Sequence, residues 1–343
     1  MSIITKTNEK LLDSDLKTIM NFPKKNLLLE VTNSCNNQCI FCANRIMTRN
    51  KKNINPKLAY KVIEEAYKLG TREIGFYATG EPLLNPNLID YIKKAKDIGY
   101  NYIYLTTNGI LADKEKVLEL YKAGLNSIKF SINAINENDY LLIHKTNNYN
   151  RVFNNLKNIY SEKTKLNLDL RVYVSYIMTK FSEYSLSDIK NHFKNISDEV
   201  IIQAVRNQGG MLPEIEDKLI PISQNSDISQ NHYLPCRYPF NSITVTCEGY
   251  LTACCMDFQN YLAYADLKEE SLNIAWNNKY IRSIRKKHLE CEVDNTLCEN
   301  CVYNTKTIPK PIREDLCTNF KTEFFTDDTI NKLSKEIEFN GLL

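Results

Sequence analysis

The sequence predicts a parallel α/β sheet followed by a small cysteine-rich α+β unit, and three observations predict it. Short apolar, strand-like segments alternate with helix-like ones from about residue 26 to residue 205. The alternation recurs roughly every 25 to 40 residues, which fits one strand, one crossover helix and two short loops. The 11 cysteines fall in two groups, at 35–42 and at 236–317, with none between. Strands joined by crossover helices pair in parallel, as a doubly wound sheet or a barrel. In either, chemistry gathers at the C-terminal ends of the strands.

Strand one is 26–32 (NLLLEVT). Asn55-Pro56 marks a helix start, with a capping side chain and a proline at the first helical position. Apolar residues recur at helical spacing through KLAYKVIEEAYKL until Gly70. Strand two is 71–77. Asn85-Pro86 starts a helix that runs to Ile98 and is closed by Gly99. Strand three is 100–106, the next helix 113–123, and strand four 127–132. A helix at 151–160, strand five at 169–176, a short helix at 187–193 and strand six at 199–205 complete the series. Beyond Cys236, 242–246 and 250–253 pair as a hairpin around Glu248-Gly249, 271–287 is helical, and 328–339 is a terminal helix. The expected organisation is an N-terminal extension (1–22), the α/β unit (23–206), a linker or substrate loop (207–235), the cysteine-rich unit (236–318) and a helical tail (319–343).

Of the 343 residues, 43% are hydrophobic and 25% charged, a globular balance. Lys+Arg total 44 against 41 Asp+Glu, a net +3. That is too even for a dedicated nucleic-acid binder, and no RNA module is visible. No apolar run is long enough to span a bilayer. The charged start (Lys6, Glu9, Lys10) is unlike a secretory signal, so a cytoplasmic protein is expected. There an odd number of cysteines reads as metal or cluster ligation rather than a disulfide framework.

Cys35, Cys39 and Cys42 place three thiolates in one loop after strand one. Three thiolates can hold three irons of a cubane and leave the fourth open; a zinc site would need a distant fourth ligand. This CxxxCxxC, with Phe41 before the third cysteine, resembles the radical S-adenosylmethionine (SAM) superfamily over residues 23–206. The resemblance implies a partial (β/α)6 TIM-like barrel, a [4Fe–4S] cluster binding SAM, and a 5′-deoxyadenosyl radical that abstracts hydrogen from substrate. Thr79-Gly80-Glu81-Pro82 stands where the family has Gly-Gly-Glu-Pro, so Gly80 and Glu81 would receive the methionine ammonium. Thr79 departs from that pattern. Asn108, Ser131 and Asn133 stand where the family contacts the ribose or amino-acid end. Phe41 would pack near the adenine, and Arg171 on strand five would pair the methionine carboxylate. Read as ordinary residues, Phe41 is a core aromatic and Arg171 a surface ion-pair partner.

Cys236-x12-Gly249-x4-Cys254, then Cys298-x2-Cys301, resembles the SPASM/twitch extension of the same superfamily. It implies a second, auxiliary [4Fe–4S] cluster on Cys236, Cys254, Cys298 and Cys301, with adjacent Cys255 able to replace Cys254. The longer pattern lapses at Thr307, so one auxiliary cluster is expected. A zinc-ribbon-like site is the alternative. Cys247, Cys255, Cys291 and Cys317 remain, as buried thiols or as one hydrogen-atom donor. The run Arg282, Arg285, Lys286, Lys287 and His288 reads as a solvated helix face or a phosphate contact.

The resemblance implies a radical oxidoreductase (dehydrogenase) or epimerase acting on a small polar substrate: a sugar, aminocyclitol or nucleotide sugar. An electron donor such as flavodoxin or ferredoxin is implied, with no membrane and no nucleic acid. A peptide maturase is the second class, although only about 22 residues precede strand one, too few for a leader-binding domain. A non-catalytic iron–sulfur protein would not need the array of Glu81, Asn108 and Ser131.

Overall fold

The structure is a computed structural model that describes residues 17–181, 184–212, 215, 219, 234–317, 332 and 335. Six strands, β1 (Asn26–Leu29), β2 (Glu73–Phe76), β3 (Tyr102–Thr107), β4 (Ser127–Ser131), β5 (Arg171–Met178) and β6 (Glu199–Ala204), pair in parallel in sequence order. Their crossovers are α1 (Pro56–Lys68), α2 (Leu88–Ile98), α3 (Lys114–Ala123), the pair α4 (Glu137–His144) and α5 (Tyr149–Lys165), and α6 (Leu186–Phe193). Three further strands, β7 (Ile243–Val245), β8 (Tyr250–Thr252) and β9 (Ala263–Asp266), extend the same sheet. The order is β6-β5-β4-β3-β2-β1-β7-β8-β9, with β7 parallel to β1 and β8 and β9 antiparallel. The sheet does not close; β6 and β9 are its edges.

Each helix forms for a local reason. In α1, Asn55 accepts hydrogen bonds from Lys57 N and Leu58 N, and Pro56 gives up a donor that has no helical partner anyway. Its buried residues, Leu58, Ala59, Val62, Ile63 and Ala66, form one stripe. The larger of these side chains each contribute about 1.5–3 kcal/mol when fully buried. In the strands, alternation divides two faces. Ile128 and Phe130 of β4 are fully buried, as are Val172 and Val174 of β5. The intervening Ser127, Lys129 and Ser131, with Arg171 and Tyr173, form the concave face. That face is polar and tyrosine-rich.

The structure corrects four sequence expectations. The helix expected at 271–287 is two, α8 (Leu272–Ala275) and α9 (Lys279–Glu290), after the short α7 (Tyr238–Asn241). Trp276 turns inward at the break to donate to Met20 O and Asn21 O, and Asn278 recaps the chain by accepting from Tyr280 N and Ile281 N. Asn85 does not cap α2; it ends a 3-10 turn, Pro82–Leu84, and donates to Val31 O at 2.6 Å. α4 and β9 were not expected. A further helix, α10, is Leu297–Tyr303. Most of the expected helix at 328–339 and most of the 207–235 loop lie outside the described residues. Among those described, no helix is long and apolar enough to cross a membrane.

Candidate active site

The loop after β1 is fastened from both sides before any metal is considered. Gln38 N donates to His144 O and Ile40 N to Ile143 O, so the end of α4 holds the loop by its backbone. Asn44 donates to Asn33 O and Thr79 O, and Lys51 Nζ reaches Asn33 O and Asn44 Oδ1. Cys35, Cys39 and Cys42 face one another closely enough that Cys42 and Cys35 each raise Cys39 further. Burial is the largest cause and pushes Cys42 up to about 12. The metal-free thiols are therefore neutral, and metal binding must release their protons.

Gly80 stands where a side chain cannot. A Cβ there would lie 2.3 Å from Thr32 O and 2.6 Å from Ser34 O, so the strand-two loop is pressed against the cysteine loop. Glu81 N donates to Ser34 O at 2.8 Å. The buried Glu81 carboxylate accepts from Leu83 N (3.0 Å), Thr107 Oγ1 (2.8 Å) and Asn108 N (2.7 Å). A carboxylate offers about four acceptor sites, so one remains for an ammonium. Burial pushes its pKa up to about 7 from 4.5 despite those donors. A raised carboxyl favours the fold while neutral. This contribution is complete below pH 4.5 and is lost as pH rises through 7; at its largest it is about 3 kcal/mol. In metal-free protein, Glu81→Gln is therefore expected to flatten the fall in denaturation midpoint between pH 4.5 and 7. An unchanged pH dependence would contradict this.

Asn108 Nδ2 lies 2.7 Å from Asn36 Oδ1 and 4.0 Å from Cys35 Sγ, so it stands beside the cysteine loop. Ser131 ends β4 and meets Ser175 at 3.3 Å. Asn133 is buried with φ 57°, and its Oδ1 accepts from Ile177 N, which ties it to β5. Phe41 is buried edge-on to His144. Arg171 is not brought to this site. It is the exposed first residue of β5, four residues before Ser175, or roughly 13 Å along the strand from the end that carries the site.

Sequence reasoning missed two histidines. His144 Nε2 lies 2.6 Å from Ile132 O and so carries the proton, which leaves Nδ1 to accept from the Cys39 thiol at 3.0 Å. His288 accepts from Cys236 N at Nδ1 (3.2 Å), so its Nε2–H points at Cys298 Sγ, 3.4 Å away. Burial lowers each to about 4, so both are neutral. No spacing in the sequence marks either one.

The second cysteine set also converges. Cys298 and Cys301 both sit on α10; Cys298 is raised by burial and then by Cys301 and Cys236, and Cys254 by its neighbour Cys255, burial and Cys301. Cys255 lies beside this set, hydrogen-bonded to Cys254 and raising Cys236, and it also reaches Tyr77, Tyr104 and Tyr238, whose hydroxyls it raises. In neither set do three sulfurs lie within 4.8 Å of one another. A single tetrahedral ion with metal–sulfur bonds of about 2.3 Å needs them closer than that. A cluster of several irons spreads its thiolates wider, so both sets fit one.

The remaining thiols separate. Cys247 is buried against Arg49 and Glu248, Cys317 donates to Gln259 O, and Cys291 is exposed past the end of α9. The basic run is not a wholly solvated face. Arg285 is fully buried, lies over Trp276, and donates to Pro239 O, Thr18 O and Asn277 Oδ1, while His288 points inward.

Comparison with known proteins gives this arrangement its class. The family model "Radical SAM superfamily" matches residues 29–196, and that of an iron–sulfur cluster-binding domain, SPASM, matches residues 236–302. The chain belongs to the radical SAM superfamily and carries a C-terminal SPASM domain. Its cofactors are SAM, a [4Fe–4S] cluster and an additional iron–sulfur cluster. A PqqA peptide cyclase of Bradyrhizobium diazoefficiens is 29% identical over 164 residues, 48% of this chain and 41% of that protein. The chain spans about half the length of the curated relatives it matches. Among solved structures, BtrN in complex with AdoMet and 2-DOIA aligns with a TM-score of 0.56 at 20% identity, over 82% of this chain and 94% of that one. Streptococcus suis SuiB bound to precursor peptide SuiA aligns with a TM-score of 0.62 at 13% identity, over 95% and 80%. These two likenesses carry the fold.

Proposed function

We propose that this enzyme abstracts hydrogen from a small polyhydroxylated substrate, a sugar, aminocyclitol or nucleotide sugar, and oxidises or epimerises it. The observation that supports this most is the concave face. Tyr77, Tyr102, Tyr104, Ser127, Lys129 and Ser131 line it, and Tyr104 lies flat across Gly75, where any Cβ would meet its ring at 2.4 Å. Tyr104 then donates to Asn26 Oδ1, and Tyr102 to Ser127 Oγ. Such a hydroxyl-bearing surface suits hydroxyl-bearing substrates better than an apolar peptide side chain.

In this reading Cys35, Cys39 and Cys42 hold the SAM-binding cluster, Glu81 takes the methionine ammonium, and Asn108 and Ser131 face SAM. Cys236, Cys254, Cys298 and Cys301 hold the auxiliary cluster. When bound, the cluster and SAM supply a 5′-deoxyadenosyl radical; the chain positions substrate against it and excludes water. A fully thiolate-ligated auxiliary cluster leaves no iron for substrate and suits acceptance of an electron, which favours oxidation. Of the four spare thiols, Cys255 is the one that faces the tyrosine-lined surface, so it is the hydrogen donor if the reaction is epimerisation. BtrN, seen with 2-DOIA, agrees in fold with the small-molecule reading; SuiB, seen with SuiA, keeps a peptide substrate as the second reading.

The test is anaerobic turnover with SAM, reductant and a panel of sugars, sugar phosphates, nucleotide sugars and peptides. Oxidation gives a product two mass units lighter, and Cys255→Ala stays active. Epimerisation gives unchanged mass in H2O, deuterium uptake in D2O, and no turnover by Cys255→Ala. Consumption of a linear peptide alone would replace the small-molecule reading.

A further inference from the structure

Lys129 is the one lysine of the concave strand face between β2 and β5 among the described residues, in the middle of β4 and flanked by Ser127 and Ser131. Its ammonium lies 5.8 Å from the centre of the Tyr77 ring. No carboxylate among the described residues pairs with it, and burial alone lowers its pKa. On the same face Glu199 of β6 stands level with Lys129 across Tyr173, and it forms no ion pair with it. Glu81 holds Thr107 and Asn108, and Glu30 holds Arg49.

A partly desolvated cation over one aromatic ring gains less from it than burial of an unpaired charge costs. An uncompensated charge of this kind persists where a ligand completes it. We propose that Lys129 anchors an oxyanion of the substrate, a phosphate or carboxylate group, in the concave face two residues along β4 from Ser131. The proposal rests on the small-molecule reading for the kind of substrate, but not for the anion. It narrows that reading to sugar phosphates, nucleotide sugars and sugar acids over neutral sugars.

The test uses the reconstituted, anaerobic protein and pyridoxal 5′-phosphate, an anionic aldehyde that forms an imine with a lysine amine and is fixed by borohydride. Peptide mapping is expected to find the adduct on Lys129. Inorganic pyrophosphate (the phosphate arm) or malonate (the carboxylate arm) should reduce labelling there about tenfold, the scale of one charge-assisted contact, while glucose leaves it unchanged. Lys129→Met should lose the adduct, keep its thermal midpoint and bind SAM as before. Absence of labelling at Lys129, equal protection by glucose, or protection by SAM alone would overturn the proposal; the last would mean that Lys129 serves the methionine carboxylate. Protection by an acidic peptide but by neither small anion would keep the anion anchor and overturn the small-molecule reading.

Discussion

Replacing Cys35, Cys39 and Cys42 together by alanine is expected to abolish 5′-deoxyadenosine formation while leaving the second cluster in place. The loop around these residues does not depend on their sulfurs. It is held by the backbone of α4, by Asn44 and by Lys51, and the glycine contact of Gly80 fixes the neighbouring turn. The triple variant should therefore fold, and its iron content should drop from about eight to about four per chain, the loss of one cubane. SAM cleavage, measured as 5′-deoxyadenosine by chromatography after reduction, should fall below detection. Continued cleavage by a variant with four irons would mean that the other cysteine set binds SAM. A fall to zero iron would mean that the two clusters are not independent.

Much of this architecture was legible because it is local. Three cysteines within eight residues, an Asn-Pro start and a Gly stop for α1, and the period-two pattern of β4 each lie inside one short window of sequence. What escaped depended on distant partners. Nothing near His144 or His288 shows that one ring would meet Cys39, 105 residues away, or that the other would bridge Cys236 and Cys298. The hairpin at 243–252 was readable, but its parallel pairing with β1 was not, because that register joins Leu27 to Ile243, which are far apart in sequence. Arg171 was placed on the right strand and on the concave face, yet at the wrong height. β5 runs on to Met178, two residues past the expected end, so Arg171 falls at the strand's start. Thr79 read as a departure from the family pattern that weakens a contact. The structure gives its hydroxyl a use: it donates to the Glu30 carboxylate.

That bond makes Thr79 part of the ion cluster behind the largest stability effect expected here, the loss of Arg49. Glu30, 1% exposed, follows β1 and donates its backbone N–H to Val245 O of β7, while its carboxylate accepts from Cys247 N at 2.8 Å. Arg49, from the loop after the first cysteines, bonds Glu30 at 2.5 Å and Glu248 of the hairpin at 2.5 and 3.0 Å. One guanidinium thus ties the cysteine loop, the SAM-loop threonine and the SPASM hairpin. The ligand atoms of Glu30, Cys247 and Glu248 lie within 4.8 Å of one another, a spacing that would suit a metal, but the arginine supplies the positive charge there. Burial pushes the Glu248 carboxyl up, and Arg49 pulls it back below its usual range. Arg49→Met removes the cation and leaves two buried carboxylates facing each other. A cost of about 3–5 kcal/mol is expected, because breaking a buried pair strands its partner's charge. Adding Glu30→Gln and Glu248→Gln to Arg49→Met should recover most of it, since neutral amides need no counter-charge: the amide at position 30 keeps its oxygen for Cys247 N, and its NH2 can donate to the Thr79 hydroxyl, which turns to accept. Anaerobic denaturant titration of the iron-loaded proteins reads both steps. If Arg49→Met lies within about 1 kcal/mol of the parent, the range of an exposed pair, the cluster is a surface feature and not a tie between the two units.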